Sequence, residues 1–369
     1  MSYASIVRAA FAVAVIGLGG CASRNSGPHG TGQSAEEKSQ PAQSKTFSSS
    51  KASELYETAL GVFTTHKYDK AVDAFKEALA VAEEEGDGSL TIRSLSMIAR
   101  SWLAQGNSEE GRPWLNRASK LASPEDPQGW AAVLGVRGRF EWKAKEYAKA
   151  EATFTEMYEY CLEREMHRLA IDAAHMVALV GDVETKIEWA LKAIKAAEAG
   201  GEETAGWLGP IWNNLGWTYD GMGEADKALE ALLKARKHHY ENGNDLSKVV
   251  ADIFVGIAQR KAGKLEEAME TIKAAQARVE QLAGENPDNK EYIERKGDCR
   301  RELGEHALLA GEREAALEHF RAARDLLREA GAESWDREGF KKFEERIKQL
   351  EEPAEPIPPE EEFSYHPQG

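Results

Sequence analysis

The segment Trp212-Asn-Asn-Leu-Gly-Trp-Thr-Tyr219, followed by Gly223, Ala228, Leu232 and Ala235, decides the fold. Its central glycine is small enough to let a first helix approach a second one closely. The three residues after Gly223 recur at the three- and four-residue spacing of one helix face. Glycine between two such stretches readily takes the left-handed conformation that ends a helix. The stretch therefore predicts a two-helix hairpin.

The same pattern recurs along the chain, which identifies internal repeats. A small residue is followed four positions later by a bulky one and seven positions later by alanine or another apolar residue. A further copy, near Ala190 and Ala193, is degenerate. The clear copies, predicted as second-helix cores, are Ala71-Phe75-Ala78, Gly111-Leu115-Ala118, Ala150-Phe154-Met157, Ala228-Leu232-Ala235, Ala268-Ile272-Ala275 and Ala316-Phe320-Ala323.

Each copy is preceded by a predicted first helix with a small residue at a fixed place. These residues are Ala59, Ala99, Gly138, Ala174, Gly216, Gly256 and Gly304. Turns between the two helices are predicted at glycines, because glycine adopts positive φ without strain. The turn glycines are Gly106, Gly181, Gly223, Gly263 and Gly311, whereas two turns near His66 and Lys145 lack one.

Trp, Leu, Gly and Tyr in the first helix, with Ala, a bulky residue and Ala in the second, resemble the tetratricopeptide repeat. The resemblance implies an all-α fold, a right-handed superhelical solenoid of about seven two-helix units over residues 51–331. Most units are longer than the family's ~34 residues. In this respect they are similar to the extended units of kinesin light chain and related cargo-binding proteins.

The N-terminus predicts secretion. Arg8 precedes an apolar run over residues 9–18, which is typical of a signal peptide and too short to cross a membrane as a helix. Leu18-Gly19-Gly20-Cys21 resembles the lipobox of bacterial lipoproteins, which implies removal of residues 1–20 and acylation of Cys21. Ala22, in place of the aspartate that retains lipoproteins in the inner membrane, implies the outer membrane of a bacterial envelope. The alternative is an ordinary signal peptide with an incidental cysteine.

Composition defines the remaining segments. Residues 21–50 are rich in Ser, Gly, Gln and Pro and predict a flexible tether, while residues 352–369 predict a disordered Pro/Glu-rich tail. Between them, residues 332–351 predict a closing helix that covers the last apolar face of the repeats. Its apolar positions are Phe340, Phe343, Ile347 and Leu350.

Charge and motifs narrow the function. A net charge of −16 argues against nucleic acid as a partner, because phosphates require a basic surface. We find no P-loop, HExxH helix or nucleophile–base arrangement, and therefore expect no cofactor, no metal and no catalysis. His238 and His239 are predicted on a solvated helix face, and Cys161 and Cys299 as small buried hydrophobes.

The tetratricopeptide resemblance also implies which first-helix positions line a concave groove: the second, fifth, ninth, twelfth and thirteenth of each unit. Basic residues dominate them, and guanidinium groups capture carboxylates in a bidentate manner. We therefore expect an acidic or C-terminal peptide segment to bind there. The predicted groove residues are Arg93, Arg100, Arg139, Trp142, Lys143, Arg168, His175, Asn213, Trp217 and Arg260.

Two alternatives remain open for these residues. They are also consistent with ordinary surface cations that neighbouring glutamates neutralise. The acidic tail segment Glu360–Phe363 is a candidate to occupy the groove in the absence of a partner.

The leading hypothesis is a membrane-anchored scaffold or assembly adaptor of the bacterial envelope that binds other envelope proteins or peptides. The second hypothesis is a binding module for a small molecule or cell-wall fragment, which a deep enclosed pocket would favour. An enzyme is the least favoured class, because it requires a polar cluster that the sequence does not show.

Overall fold

A computed structural model describes residues 50–352, and this part of the chain is all helical. Sixteen α-helices follow one another, with a short 3₁₀ turn at Gly201–Glu203. The helices are α1 Lys51–Thr64, α2 Tyr68–Glu85, α3 Gly88–Ala104, α4 Ser108–Leu121, α5 Pro127–Lys143, α6 Tyr147–Glu163, α7 His167–Val180, α8 Val183–Ala199, α9 Ala205–Gly221, α10 Ala225–Asn242, α11 Asp245–Lys261, α12 Leu265–Glu285, α13 Lys290–Leu309, α14 Arg313–Ala330, α15 Ala332–Trp335 and α16 Arg337–Glu351.

The described residues divide into two compact units, 50–153 and 154–352, and the boundary lies between Thr153 and Phe154 inside α6. The first unit contains α1 to α5 and the start of α6. The second contains the rest of α6 and the helices α7 to α16.

In the first unit α1 pairs with α2 and α3 with α4, and α5 leads into the start of α6. In the second unit α7 pairs with α8, α9 with α10, α11 with α12 and α13 with α14, so that the odd-numbered helix is the first of each hairpin. A β-carbon added at Gly256 would lie 2.6 Å from Cδ1 of Ile272, and one at Gly304 would lie 2.6 Å from Cε1 of Phe320. The same spacing of sixteen residues joins Gly216 to Leu232, so that these three glycines each admit a bulky side chain of the second helix. The predicted all-α repeat fold, with seven hairpins and a closing helix, is confirmed.

Left-handed residues form the turns. Gly106, Gly223, Gly263 and Gly311 have φ between 75° and 83°, as predicted. Three residues with side chains take the same conformation: His66 and Lys145 within hairpins, and Glu165 between α6 and α7, with φ of 61°, 62° and 56°. Gly181 is a correction, because its φ is −86° and its ψ 171°, so that α8 begins after an extended residue. There Asp182 caps the helix by accepting a hydrogen bond from the Thr185 backbone at 2.9 Å.

Side-chain caps also start several first helices. Ser50, Asp87, Asp126, Asn244 and Asn289 each accept hydrogen bonds from backbone N–H groups of the first turn of α1, α3, α5, α11 and α13. Such caps satisfy donors that have no partner within the helix. The start of each of these repeats is therefore fixed locally.

The closing helix packs on α14, as predicted, through Phe340, Phe343, Ile347 and Leu350, all of them buried. It starts at Arg337, later than expected, because Asp336 interrupts the chain after the single turn of α15 and caps α16. Arg313 donates from Nε to the Leu350 carbonyl at 3.1 Å and satisfies part of the helix C-terminus.

Among residues 50–352, no helix is both long and apolar enough to span a membrane. The predicted signal peptide, Cys21 and most of the predicted tether lie outside the described residues, as does the tail segment from residue 353 onward.

Candidate interaction surface

The first helices α1, α3 and α5 pack side by side in the unit 50–153, and we call their shared surface the α1–α3–α5 face. Two predicted binding residues, Arg93 and Arg100, lie on it and are half-buried. The guanidinium carbon of Arg93 is 4.4 Å from the ring centre of Tyr56, and that of Arg100 is 5.2 Å from the ring centre of Phe63. Both arginines of α3 are thus held over aromatic rings of α1.

Electrostatics couple Arg93 to Tyr56. Burial raises the pKa of the Tyr56 hydroxyl, while the charge and hydrogen bond of Arg93 act in the opposite direction. A guanidinium that lies over a ring uses its flat face for this contact, and its N–H donors point along the plane. The α1–α3–α5 face thus carries two guanidinium groups, each beside an aromatic ring.

Three further predicted residues lie on α5. Arg139 is half-buried and donates from Nη1 to the Gly135 carbonyl at 2.9 Å. Trp142 is half-buried and Lys143 is exposed at the end of the helix. The first unit therefore brings five of the ten predicted binding residues onto neighbouring first helices.

The other five lie in the unit 154–352. Arg168 and His175 are half-buried residues of α7, two helical turns apart. Asn213 differs from the expectation, because it is only 4% exposed and its Nδ2 lies 3.0 Å from Nε2 of His239. Asn213 is thus an interior residue in this structure.

His239 corrects a second expectation, since it is buried and not solvated. A β-carbon at Gly209 would lie 2.8 Å from its ring, so that the glycine makes room for the imidazole against α9. Burial, and to a lesser extent His238, lowers the pKa of His239 to about 4. The ring is therefore neutral at physiological pH. His238 remains partly exposed near Glu241.

Trp217 packs edge-on against Phe254 of α11, with ring centres 5.0 Å apart. It is half-buried and its Nε1 is shielded from solvent. The side chain therefore joins two first helices of this unit, in addition to contributing to their surface.

Arg260 is engaged within the protein. Its Nε donates to Oε2 of Glu302 on α13 at 2.9 Å, and the two side chains are 9% and 3% exposed. Burial opposes ionisation of Glu302, but Arg260 together with Arg301 leaves the pKa of this carboxyl below its ordinary value. Arg260, predicted as a groove residue, is the positive partner of a buried ion pair, which agrees with the alternative that glutamates neutralise these cations.

Two neighbouring ion pairs extend this connection. Lys261 Nζ lies 2.8 Å from Oδ2 of Asp220 on α9, and Arg346 of α16 holds both carboxylate oxygens of Glu305 on α13 at 2.5 and 2.6 Å. We call these three pairs the ion-pair ladder. It joins α9, α11, α13 and α16, so that the charges named here are neutralised within the chain.

The buried charged residues of α13 were not among the predicted site residues. This helix buries Glu294, Arg295 and Asp298, and the Arg295 guanidinium forms ion pairs with both carboxylates. The signal was present as acidic residues spaced by four positions, 294, 298 and 302, on a predicted first helix.

Cys161 and Cys299, the two cysteines within residues 50–352, are buried as predicted and form no disulfide. Burial raises the pKa of the Cys161 thiol to about 12 and also raises that of Cys299. Across residues 50–352 no cluster of His, Cys, Asp and Glu has the arrangement of a metal site.

Comparison with known proteins agrees with this architecture. A tetratricopeptide repeat family model matches residues 209–235, which lie in the hairpin α9–α10. No curated protein sequence is significantly similar to the chain.

Solved structures share the fold at low sequence identity. The apo form of RapI has a TM-score of 0.62 at 14% identity, over 81% of this chain and 80% of RapI. A signal transduction ATPase with numerous domains (STAND) from Pyrococcus horikoshii, which carries a tetratricopeptide repeat sensor, has a TM-score of 0.58 at 16% identity. The match covers 81% of this chain and 44% of that protein. At these identities the likeness shows the helical-repeat fold alone.

Proposed function

We propose that the chain is a lipid-anchored scaffold that binds acidic segments of other proteins on the α1–α3–α5 face. Tetratricopeptide-type repeats are generally protein-interaction scaffolds without catalytic activity. The observation that carries the acidic preference is the pair Arg93 and Arg100, which lie over Tyr56 and Phe63. Aromatic rings hold the guanidinium groups in position and leave their charge intact.

The ion-pair ladder makes the surface of α9, α11 and α13 less suited to an acidic partner. Arg260 and Lys261 already contact Glu302 and Asp220, so that an acidic partner would have to displace an internal carboxylate. At the α1–α3–α5 face, Lys143 is an exposed cation and Trp142 offers an aromatic surface beside it.

Cavity shape favours a protein partner over a small molecule. Small-molecule sites are usually enclosed and have roughly 300 to 1,000 Å³. The partly enclosed cavity beside Arg301 and Trp335 has a volume of about 20 Å³, which is too small. The depression at residues 311–315 has a volume of about 470 Å³, but it is largely open to solvent.

Charge reversal tests the proposed surface. The triple variant Arg93→Glu, Arg100→Glu and Arg139→Glu should lose captured proteins when the tagged chain is purified from membranes and its partners are identified by mass spectrometry. Arg112→Glu is the matched control, because Arg112 is an exposed arginine of the second helix α4 paired with Glu109. Equal capture by the triple variant and the control would exclude this face as the binding surface.

The anchor is tested separately. Metabolic labelling with a fatty acid should mark the native chain and not Cys21→Ser, and only the native chain should sediment with membranes. Equal labelling of both chains would exclude acylation at this cysteine.

Deletion of residues 353–369 tests whether the acidic tail competes for the α1–α3–α5 face. The deletion should raise partner affinity if the tail competes, and unchanged affinity would contradict that competition.

A further inference from the structure

The spacing of the two arginines over the aromatic rings suggests what kind of segment binds. Arg93 and Arg100 are seven residues apart on α3, and the rings beneath them, Tyr56 and Phe63, are seven residues apart on α1. Seven residues of helix advance about 10.5 Å, and nearly two full turns return both side chains to the same face. The two positive groups therefore form a pair with a defined separation along α3.

We propose that this face binds an acidic α-helix of a partner protein whose carboxylates are seven residues apart. The proposal rests on the proposed function and specifies the conformation and register of the ligand. A partner helix that lies along α3 has the same rise per residue, so that carboxylates seven positions apart lie about 10.5 Å apart on one face. Both can then meet the two guanidinium groups at once.

Other backbone conformations fit less well. In an extended strand, successive side chains point to opposite faces, and residues on one face lie about 6.7 or 13 Å apart. A polyproline helix repeats on one face after roughly 9.3 Å. The contact of each arginine with its own aromatic ring favours the separation set by α3 over these other spacings.

The measurement uses four labelled peptides of about 20 residues, long enough to be partly helical in an alanine-glutamine background. One has two glutamates seven positions apart, and a second has the same composition with the glutamates five positions apart, on different faces. The third has two lysines seven positions apart. The fourth is proline-rich with glutamates three positions apart. Affinity for the whole mature chain is read from fluorescence anisotropy at low salt.

We expect the seven-spaced glutamate peptide to bind about threefold more tightly than the five-spaced one, because it forms a second well-placed ion pair and each such pair contributes roughly threefold. The variant Arg93→Glu/Arg100→Glu should lose this preference and bind the lysine peptide instead. Arg112→Glu should behave as the native chain. If circular dichroism shows that Arg93→Glu/Arg100→Glu is unfolded, Arg93→Gln/Arg100→Gln replaces it. This variant removes the two charges with less disturbance and should lose the same preference.

The contrary outcomes separate the two proposals. Equal binding of the two glutamate helices, or tighter binding of the proline-rich peptide, would overturn the helical register and leave the acidic preference of the face intact. Equal or weaker binding of all glutamate peptides compared with the lysine peptide would overturn the proposed function itself.

Discussion

Replacement of Arg260 by methionine tests whether the charge on this first helix belongs to the interior or to a binding surface. Methionine keeps most of the aliphatic length and removes the guanidinium that lies 2.9 Å from Glu302. The carboxylate, 3% exposed, would then be buried without its main counter-charge. Breaking a buried ion pair from one side usually costs about 3 to 5 kcal/mol. Because Arg301 still lowers the pKa of Glu302, we expect a loss near the lower end, about 3 kcal/mol.

Lys261→Met is the control, one residue further along the same helix. Its partner Asp220 is more exposed, so this change should cost less than about 1 kcal/mol. The assay is urea denaturation followed by circular dichroism. The double variant Arg260→Met/Glu302→Leu should recover most of the loss, because it removes the unpaired charge. Equal effects of Arg260→Met and Lys261→Met would refute the description of the first pair as buried.

The pH dependence of the free energy of unfolding, measured for the native chain and for Arg260→Met, is a second test of this ion pair. In the native chain the lowered pKa of Glu302 contributes stability at neutral pH that is lost as the pH falls through the folded-state value. Without Arg260, burial should raise this pKa above the unfolded value. The variant is then destabilised at neutral pH, and the penalty shrinks as the pH falls toward the unfolded pKa, because the buried carboxyl takes up a proton. A penalty independent of pH would contradict this.

Four substitutions and one chemical modification test the packing and the turns of the repeats. Gly256→Ala should destabilise the chain by about 1 to 3 kcal/mol in urea denaturation, because the new β-carbon would meet Ile272 at 2.6 Å. Gly61→Ala, in an exposed helix position with no atom within 4 Å, should instead stabilise by about 0.5 to 1 kcal/mol. His66→Gly should raise the denaturation midpoint, because glycine adopts the left-handed conformation without strain. Gly106→Ala should lower the midpoint, with a loss of about 1 kcal/mol in the free energy of unfolding. A lowered midpoint for the first, or a raised one for the second, would contradict this account of the turns. The buried Cys161 thiol should resist alkylation at pH 8 in the folded chain and react in urea, since its pKa is about 12. Rapid alkylation without denaturant would show that the thiol is accessible.

The fold was predictable because its decisive contacts are local. Gly256 and Ile272 are sixteen residues apart, and the same spacing joins Gly216 to Leu232 and Gly304 to Phe320, so that one pattern specifies several repeats. The left-handed His66 and Lys145 show the limit of this argument. Packing on both sides of a turn imposes the conformation even where the residue does not favour it.

The candidate site was less predictable, because side-chain pairing is not local. Arg260 occupies a first-helix position expected to face a ligand, but its partner Glu302 is 42 residues away in the next repeat. Asn213 and His239 likewise meet across a hairpin through the space that Gly209 leaves. Position in a repeat predicts which helix a residue occupies, whereas it does not predict which polar groups satisfy one another.

The ion-pair ladder also has a consequence for how these repeats can be rearranged. Consecutive residues of α11 reach in opposite directions, Arg260 to α13 and Lys261 to α9. The hairpin α11–α12 therefore forms a specific ion pair with each of the two hairpins beside it. Removing the hairpin α11–α12, or exchanging it with another, would leave Asp220 and Glu302 without their cations. Unlike consensus repeats, which behave as interchangeable modules, the last three hairpins carry their own sequential order in their charges.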